Sequence, residues 1–180
     1  MSTLTISNYT LKHFDLKAKA IMDEYLNLIN VDVSDYTFAG NYIWLSTATG
    51  FYTIVNETFC LFILNSGELT MLLPPIGKKE NTYDAMIQCF EIMNSHNSNR
   101  NYSKIEYVHE ELLEGFVDYL EEGTLVYEML KDFIIEKKLV DYIYKVEDLI
   151  DLKGDSYKSK RNEINRFRNV YPNHKIEIFD

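Results

Sequence analysis

Three apolar runs that follow one another almost without interruption constrain the fold of this chain most. They are FYTIV at 51–55, TFCLFIL at 58–64 and ELTMLL at 68–73, and only NE and NSG separate them. Connections this short join antiparallel neighbours, because parallel strands need a crossover of a dozen or more residues. Gly67 supplies the positive φ that the second turn needs. The sequence therefore predicts an antiparallel meander in the first half of the chain.

The segment before the meander is predicted to contain one strand and two helices. The strand is LTISNY, and a helix runs from Asp15 to about Ile29, with apolar residues at helical spacing. A second helix, YTFAGNYIWL, has Phe38 and Trp44 as its large apolar anchors.

The segment after the meander alternates between helix and strand patterns. Helices are predicted from about Asn81, over EELLEGFVDYLEEG as far as Gly123, and from Tyr157 to about Tyr171, before Pro172. Strands are predicted at SKIEYVH, VDYIYKV and KIEIF. The apolar spacing of residues 125–138 fits both the helical and the strand periodicity over part of this segment. This mixed order predicts an α+β fold with a mainly antiparallel sheet flanked by helices.

Composition indicates one folded domain over residues 1–180. Hydrophobic residues make up 46% of the chain and aromatic residues 14%, which is typical of globular proteins. No apolar run is long enough to span a bilayer and no signal peptide is recognisable, so a cytoplasmic location is expected. Cys60 and Cys89 lie in apolar surroundings and are predicted to be buried free thiols.

Positive charge is concentrated near the end of an otherwise acidic chain. Residues 153–180 contain seven basic and four acidic residues, a net +3, so the total of −10 leaves −13 on residues 1–152. This acidity argues against broad nucleic-acid or membrane binding, but it allows a local anion site. The candidate ligands of a phosphate are Lys153, Gly154, Lys160, Arg161, Asn162 and Asn165. The alternative is a solvated helix whose cations form ion pairs within the protein.

Other candidate sites carry weaker signals. Tyr142 and Tyr144 alternate along a predicted strand, and so they share one side, as core or as the wall of a pocket. The loop PPIGKK follows the meander, but two prolines remove backbone donors, and an ordinary strand-to-helix turn is favoured. The four histidines are interpreted as surface residues, and no metal site is predicted.

Two segments resemble a known family, which is named for the C-terminal domain of phosphatidylglycerol lysyltransferase. An aromatic DYxY segment before dLxxLxGxxxxxKRNxxNxF and an early tfxnxxxW helix are its signatures. The matching residues are Thr37, Phe38, Asn41, Trp44, Asp141, Tyr142, Tyr144, Leu149, Leu152, Lys153, Gly154, Tyr157, Lys160, Arg161, Asn162, Ile164, Asn165 and Phe167.

The resemblance implies a GNAT-like acyltransferase fold, in a family whose members usually contain two such domains in tandem. Characterised relatives transfer an aminoacyl group from aminoacyl-tRNA to a lipid head group. The chain resembles the first of the two domains, and the usual acyl-CoA loop, [QR]xxGx[GA], is replaced by PPIGKK.

Two functional hypotheses follow from the sequence. The first is a transferase that uses aminoacyl-tRNA or acyl-CoA as co-substrate, with the basic residues holding the carrier and with no general base identified. Such a site would need a second GNAT-like domain or a second copy in a homodimer. The second is a degenerate, non-catalytic GNAT-like module that acts through self-association or partner binding. A module that binds RNA or another anion through the basic helix is a third alternative.

Overall fold

The computed structural model describes residues 3–31, 33–45, 49–120, 133–137 and 142–177. The chain divides into two compact units, Met1–Lys137 (unit 1) and Lys138–Asp180 (unit 2). The expectation of a single domain over residues 1–180 stays a prediction. Gly123, at the expected end of a helix, lies outside the described residues, as do most of residues 125–138.

Unit 1 contains a five-stranded sheet in which neighbours in the chain are neighbours in space and every pair is antiparallel. The strands are β1 (Thr3–Ile6), β2 (Tyr9–His13), β3 (Thr49–Val55), β4 (Thr58–Asn65) and β5 (Glu68–Met71). Asn56 and Glu57 form the β3–β4 turn, and Ser66 and Gly67 the β4–β5 turn, all with positive φ. Two positive-φ residues match the right-handed twist of the flanking strands. The predicted meander is confirmed.

The first predicted strand is in fact a hairpin. LTISNY bends at Ser7, which has a φ of 51°, and the chain returns as β2, which pairs with β1 from Ile6↔Tyr9 to Thr3↔Lys12. The strand β2 then joins the hairpin to the meander through two pairs with β3. The sequence prediction of one strand was wrong because a turn at Ser7 was not recognised.

In the described part of unit 1, the helices beside this sheet are α1 (Ala18–Leu26), α2 (Phe38–Trp44), α3 (Lys79–His96) and α4 (Glu110–Tyr119). Thr37 caps α2, since its hydroxyl accepts a hydrogen bond from the Gly40 N–H at 3.1 Å. Phe38 is buried as predicted, but Trp44 is 77% exposed, so its role as an anchor was wrong. Leu45, one residue further on, takes the inward position.

The core lies on both faces of the sheet because successive residues of β4 point in opposite directions. Phe59 packs with residues of α1 and α2 on one face. Cys60 and Phe62 pack with residues of α3, including Cys89, on the other. Both cysteines are buried and free, as predicted. Burial raises the pKa of the Cys89 thiol, and neighbouring Cys60 adds to the rise.

The chain returns to the sheet after α3 beside β5. The Met71 N–H donates to the Lys104 carbonyl and the Glu106 N–H donates to the Met71 carbonyl, both at 2.9 Å. Ile105 thereby forms a single parallel bridge with Met71. The predicted strand SKIEYVH is reduced to this one bridge, because Tyr107, with a φ of 46°, turns the chain away. The crossover through α3 is the one parallel junction in the described part of unit 1.

Unit 2 contains helices α5 (Val146–Asp151) and α6 (Lys158–Val170), with a 3-10 turn, Asp155–Tyr157, just before α6. The predicted helix from Tyr157 is confirmed as α6. The predicted strands VDYIYKV and KIEIF are wrong for the described residues 142–146 and 175–177, which have no strand partner. An alternating pattern forms a strand only where a neighbour supplies hydrogen bonds. The α+β class with a mainly antiparallel sheet is confirmed by unit 1.

Candidate functional site

The predicted anion-binding residues lie on α6 and on the turn that precedes it. Leu152 and Gly154 both have positive φ, 48° and 88°, and they turn the chain between α5 and the 3-10 turn. The Arg161 guanidinium donates to the carbonyls of both residues, at 2.7 Å for Gly154. The structure therefore brings Gly154 and Arg161 together, and the guanidinium is used to hold the turn.

Two of the predicted lysines form ion pairs at the surface. Lys153 lies 2.6 Å from Asp151, and Lys160 lies 3.3 Å from Glu163. The side chain of Lys153 is 82% exposed and that of Lys160 is 67% exposed. Exposed pairs of this kind contribute about 0–1 kcal/mol, so a bound phosphate can replace the carboxylate at small cost.

The remaining polar residues of α6 are open to solvent. Asn162 and Asn165 are exposed along the helix. The side chain of Lys158 has no ion pair among the described residues. These groups can reach an anion without breaking an existing interaction, and the assignment of the stretch as a carrier site stays a prediction.

The two tyrosines of the DYxY segment are exposed within the described part of the chain. Tyr142 is 82% exposed and Tyr144 is 55% exposed. They are therefore not core residues of the described part of unit 2. Their assignment as pocket-lining residues stays a prediction.

Unit 1 contains a second candidate, which the sequence interpretation missed. Tyr36 is buried, and its hydroxyl donates to the Tyr107 carbonyl at 2.9 Å. Its ring meets the His109 ring edge to face, with centroids 6.1 Å apart. Burial raises the pKa of Tyr36, against the opposing effect of the His109 backbone N–H. We call Tyr36, Tyr107 and His109 the tyrosine–histidine cluster.

His109 is half-buried and holds the start of α4. Its Nδ1 accepts a hydrogen bond from the Leu112 N–H at 3.4 Å, which places the proton of the neutral ring on Nε2. Burial lowers the pKa of His109; Glu111 opposes this shift and Lys79 adds to it. A neutral ring with an Nε2–H can donate to negative charge developing on a carbonyl oxygen. The two acidic residues after His109 in HEE are typical of the first turn of a helix, and they were the sequence signal that could have predicted the capping role of His109.

The loop PPIGKK behaves as an ordinary strand-to-helix turn. Ile76 and Phe59 exchange two backbone hydrogen bonds, at 2.8 and 2.9 Å, so the Ile76 N–H is already used. Gly77 lies against Thr58, where a side chain would not fit. The loop thus positions the start of α3 at Lys79.

Together these features define an α+β protein whose described residues form a curled, mainly antiparallel sheet with one parallel junction in unit 1 and a basic helix in unit 2. Among the described residues, no helix is long and apolar enough to cross a membrane.

The family model described as "Phosphatidylglycerol lysyltransferase, C-terminal" matches residues 26–179. The chain belongs to this family. Membership confirms the resemblance and supports the transferase class and the GNAT-like fold that the resemblance implied. No curated protein and no solved structure matches the chain.

Proposed function

We propose that this protein is a transferase that moves an acyl or aminoacyl group from a phosphate-containing carrier to an amine or a lipid head group. Aminoacyl-tRNA is the preferred carrier, and acyl-CoA is the other. The observation that carries this proposal is the family match over residues 26–179, whose description names a lysyltransferase of phosphatidylglycerol. The PPIGKK turn supports the preference for aminoacyl-tRNA, since it lacks the glycine pattern of the usual acyl-CoA loop.

The basic stretch is the proposed carrier site. Lys153 and Lys160 exchange their exposed carboxylate partners for carrier phosphates, while Asn162 and Asn165 donate neutral hydrogen bonds. Arg161 is a positioning residue in this proposal, because its guanidinium fixes the turn that presents Lys153 and Gly154.

The proposed reaction is attack of a nucleophilic amine or hydroxyl on the activated ester of the carrier. A bond forms between the nucleophile and the carbonyl carbon. The ester C–O bond of aminoacyl-tRNA, or the thioester C–S bond of acyl-CoA, breaks, and the nucleophile's proton ends on the departing hydroxyl or thiol of the carrier. Proximity of the two substrates and hydrogen bonds to the carbonyl oxygen supply most of the acceleration. We assign neither the donor to the carbonyl oxygen nor a general base.

The direct test is label transfer. The full chain is incubated with tRNA carrying a radiolabelled amino acid and with phosphatidylglycerol vesicles, and the lipid fraction is counted. We expect label in the lipid, with none from free amino acid. Tm and NMR shifts are recorded with uncharged tRNA and with CoA. An unlabelled lipid fraction, together with unchanged Tm and shifts for both carriers, would overturn the proposal.

Paired variants test the carrier site. Lys158→Ala removes a cation without breaking a described interaction, so it should weaken tRNA binding and flatten its salt dependence while leaving stability unchanged. Lys17→Ala, an exposed lysine in unit 1, is the matched control. Equal tRNA affinity in both variants would remove α6 from the carrier site.

The non-catalytic module is the second candidate, and one observation favours it. Lys153, Lys160 and Arg161 each have a partner within unit 2, which is what a purely structural basic helix requires. This alternative predicts that Arg161→Ala destabilises unit 2 without affecting tRNA binding. It also predicts self-association or partner binding in place of label transfer.

A further inference from the structure

Helix α6 presents an apolar stripe to solvent. The stripe consists of Ile164, Phe167, Val170 and Tyr171, which are 39%, 49%, 59% and 57% exposed. Helical spacing places Ile164 and Phe167 on one side, with Val170 at its edge. Tyr171 follows the last residue of α6, and its ring packs on that of Phe167 with centroids 5.1 Å apart. No residue of α6 is buried. A contiguous apolar stripe on a helix normally packs against another protein surface or a membrane.

Cations border the stripe on both sides. Arg166 and Arg168 flank Phe167 in the sequence, and a rotation of about 100° per residue carries them to opposite edges of the stripe. Neither arginine has an ion pair among the described residues. The helix carries five basic residues and one acidic residue, a net charge of +4. Apolar surface bordered by free guanidinium groups characterises helices that lie flat in a lipid interface.

We propose that α6 is an interfacial helix that docks unit 2 on the surface of an anionic lipid bilayer. Phe167 and Ile164 enter the boundary between head groups and acyl chains. Arg166 and Arg168 bind lipid phosphates at the same depth, and Tyr171 keeps its hydroxyl in the head-group layer.

Charge complementarity selects lipid as the occupant of this surface. The whole chain has a net charge of −10, so only a local basic surface such as α6 can be attracted to an anionic membrane. Charges separated by more than about 8 Å are largely screened at physiological salt. A membrane in contact with α6 therefore experiences mainly the positive charge of this helix. RNA would satisfy the arginines and could stack on Phe167 and Tyr171, but it would leave Ile164 and Val170 in water. A bilayer satisfies both the cations and the aliphatic side chains.

This inference rests on the proposed function, because a lipid acceptor gives a transferase a reason to bind a membrane surface. The two are nevertheless separable. Membrane docking is measured without carrier, whereas label transfer requires a loaded carrier, so either can fail alone.

The test is co-sedimentation of the full chain with lipid vesicles. Equimolar phosphatidylglycerol and phosphatidylcholine form the anionic vesicles, and pure phosphatidylcholine forms the neutral ones. We expect binding to the anionic vesicles that weakens with salt. The double variant I164S/F167S should bind about tenfold more weakly, since two apolar side chains no longer enter the lipid. The double variant R166E/R168E should lose the preference for anionic vesicles.

Matched controls come from unit 1. Val117→Ser removes an apolar side chain that is 50% exposed on α4, and Lys17→Glu reverses an exposed charge. Both should bind vesicles as the wild type does. Unchanged circular dichroism would show that the α6 variants remain folded, as expected for exposed positions.

Three results would overturn the proposal. The first is no wild-type binding to anionic vesicles, or equal binding to both vesicle types. The second is loss of tRNA affinity in R166E/R168E with vesicle binding unchanged, which would assign the two arginines to the carrier site and not to lipid. The third is a wild-type dimer that I164S/F167S converts to a monomer with no change in vesicle binding, which would make a second copy the occupant.

Discussion

The two units of this chain use apolar residues in opposite ways. In unit 1 the sheet has helices on both faces, and each face buries a hydrophobic cluster, with Phe59 and Phe62 fully enclosed. In the described part of unit 2 no residue is buried, although α5 and α6 both carry large apolar side chains. Two short helices cannot enclose a core without a further layer. Apolar residues are thus enclosed in unit 1, whereas those in the described part of unit 2 are exposed.

The largest expected effect comes from a matched pair of phenylalanines. Phe59→Ala should cost about 3–5 kcal/mol of unfolding free energy, because the ring is fully buried and stacks on Tyr52 with centroids 5.1 Å apart. Phe167→Ala, at 49% exposure, should change it by no more than about 0.5 kcal/mol. Urea unfolding measures both. Equal losses would show that the stripe belongs to a core and would break the comparison.

A smaller effect is expected where α3 and α4 approach each other in unit 1. Gly115 lies against the Tyr83 hydroxyl, which is buried and has no hydrogen-bond partner among the described residues. Gly115→Ala should cost about 1–3 kcal/mol through this collision. Tyr83→Phe removes the hydroxyl, so the double variant should recover part of the loss in urea unfolding. Simple additivity of the two changes would mean that the collision is not the cause.

Arg161 sharpens the comparison within unit 2. Arg161→Ala removes the guanidinium whose Nη1 donates to both the Leu152 and the Gly154 carbonyls, and it should weaken the start of α6 by about 1 kcal/mol. Hydrogen exchange should accelerate at residues 155–162 and stay constant in β3 and β4. Lys158→Ala is the control and should leave exchange unchanged. Faster exchange throughout unit 1 would contradict a local role.

The smallest effect is a pH dependence from His109. The pKa of His109 in the folded chain lies below the usual value of about 6.5, so its imidazole takes up a proton more readily in the unfolded chain than in the folded chain. Stability is therefore full above about pH 6.5 and falls as the pH is lowered through that value. His109→Asn keeps a capping side chain without this titration. Urea unfolding at pH 7 and pH 5 should show a smaller loss in the variant; an equal or greater loss would exclude His109 as the source.

Local chemistry explains what the sequence could predict. The meander followed from two short turns, and α3 followed from apolar spacing, since both patterns are contained within one segment. Family membership likewise followed from the signature around Lys160 and Arg161. In each of these features, residues that are close together in the sequence determine the structure or the family signature.

Non-local geometry explains what the sequence could not predict. The partner strands expected for residues 142–146 and 175–177 are missing in the described part of the chain, and pairing cannot be read from alternation alone. The Arg161 bonds depend on a positive φ at Leu152, which its residue type does not suggest. The tyrosine–histidine cluster joins Tyr36 to residues far along the chain, and no motif links them.

The parallel bridge between Met71 and Ile105 has a consequence for the order in which unit 1 folds. Each hairpin of the sheet closes a loop of a few residues, whereas this bridge can form only after the chain has passed through the whole of α3. Closing the longer loop costs more chain entropy before any contact is gained. The meander is therefore the natural nucleus, and the segment around Ile105 docks late, once a collapsed sheet and α3 are present to receive it.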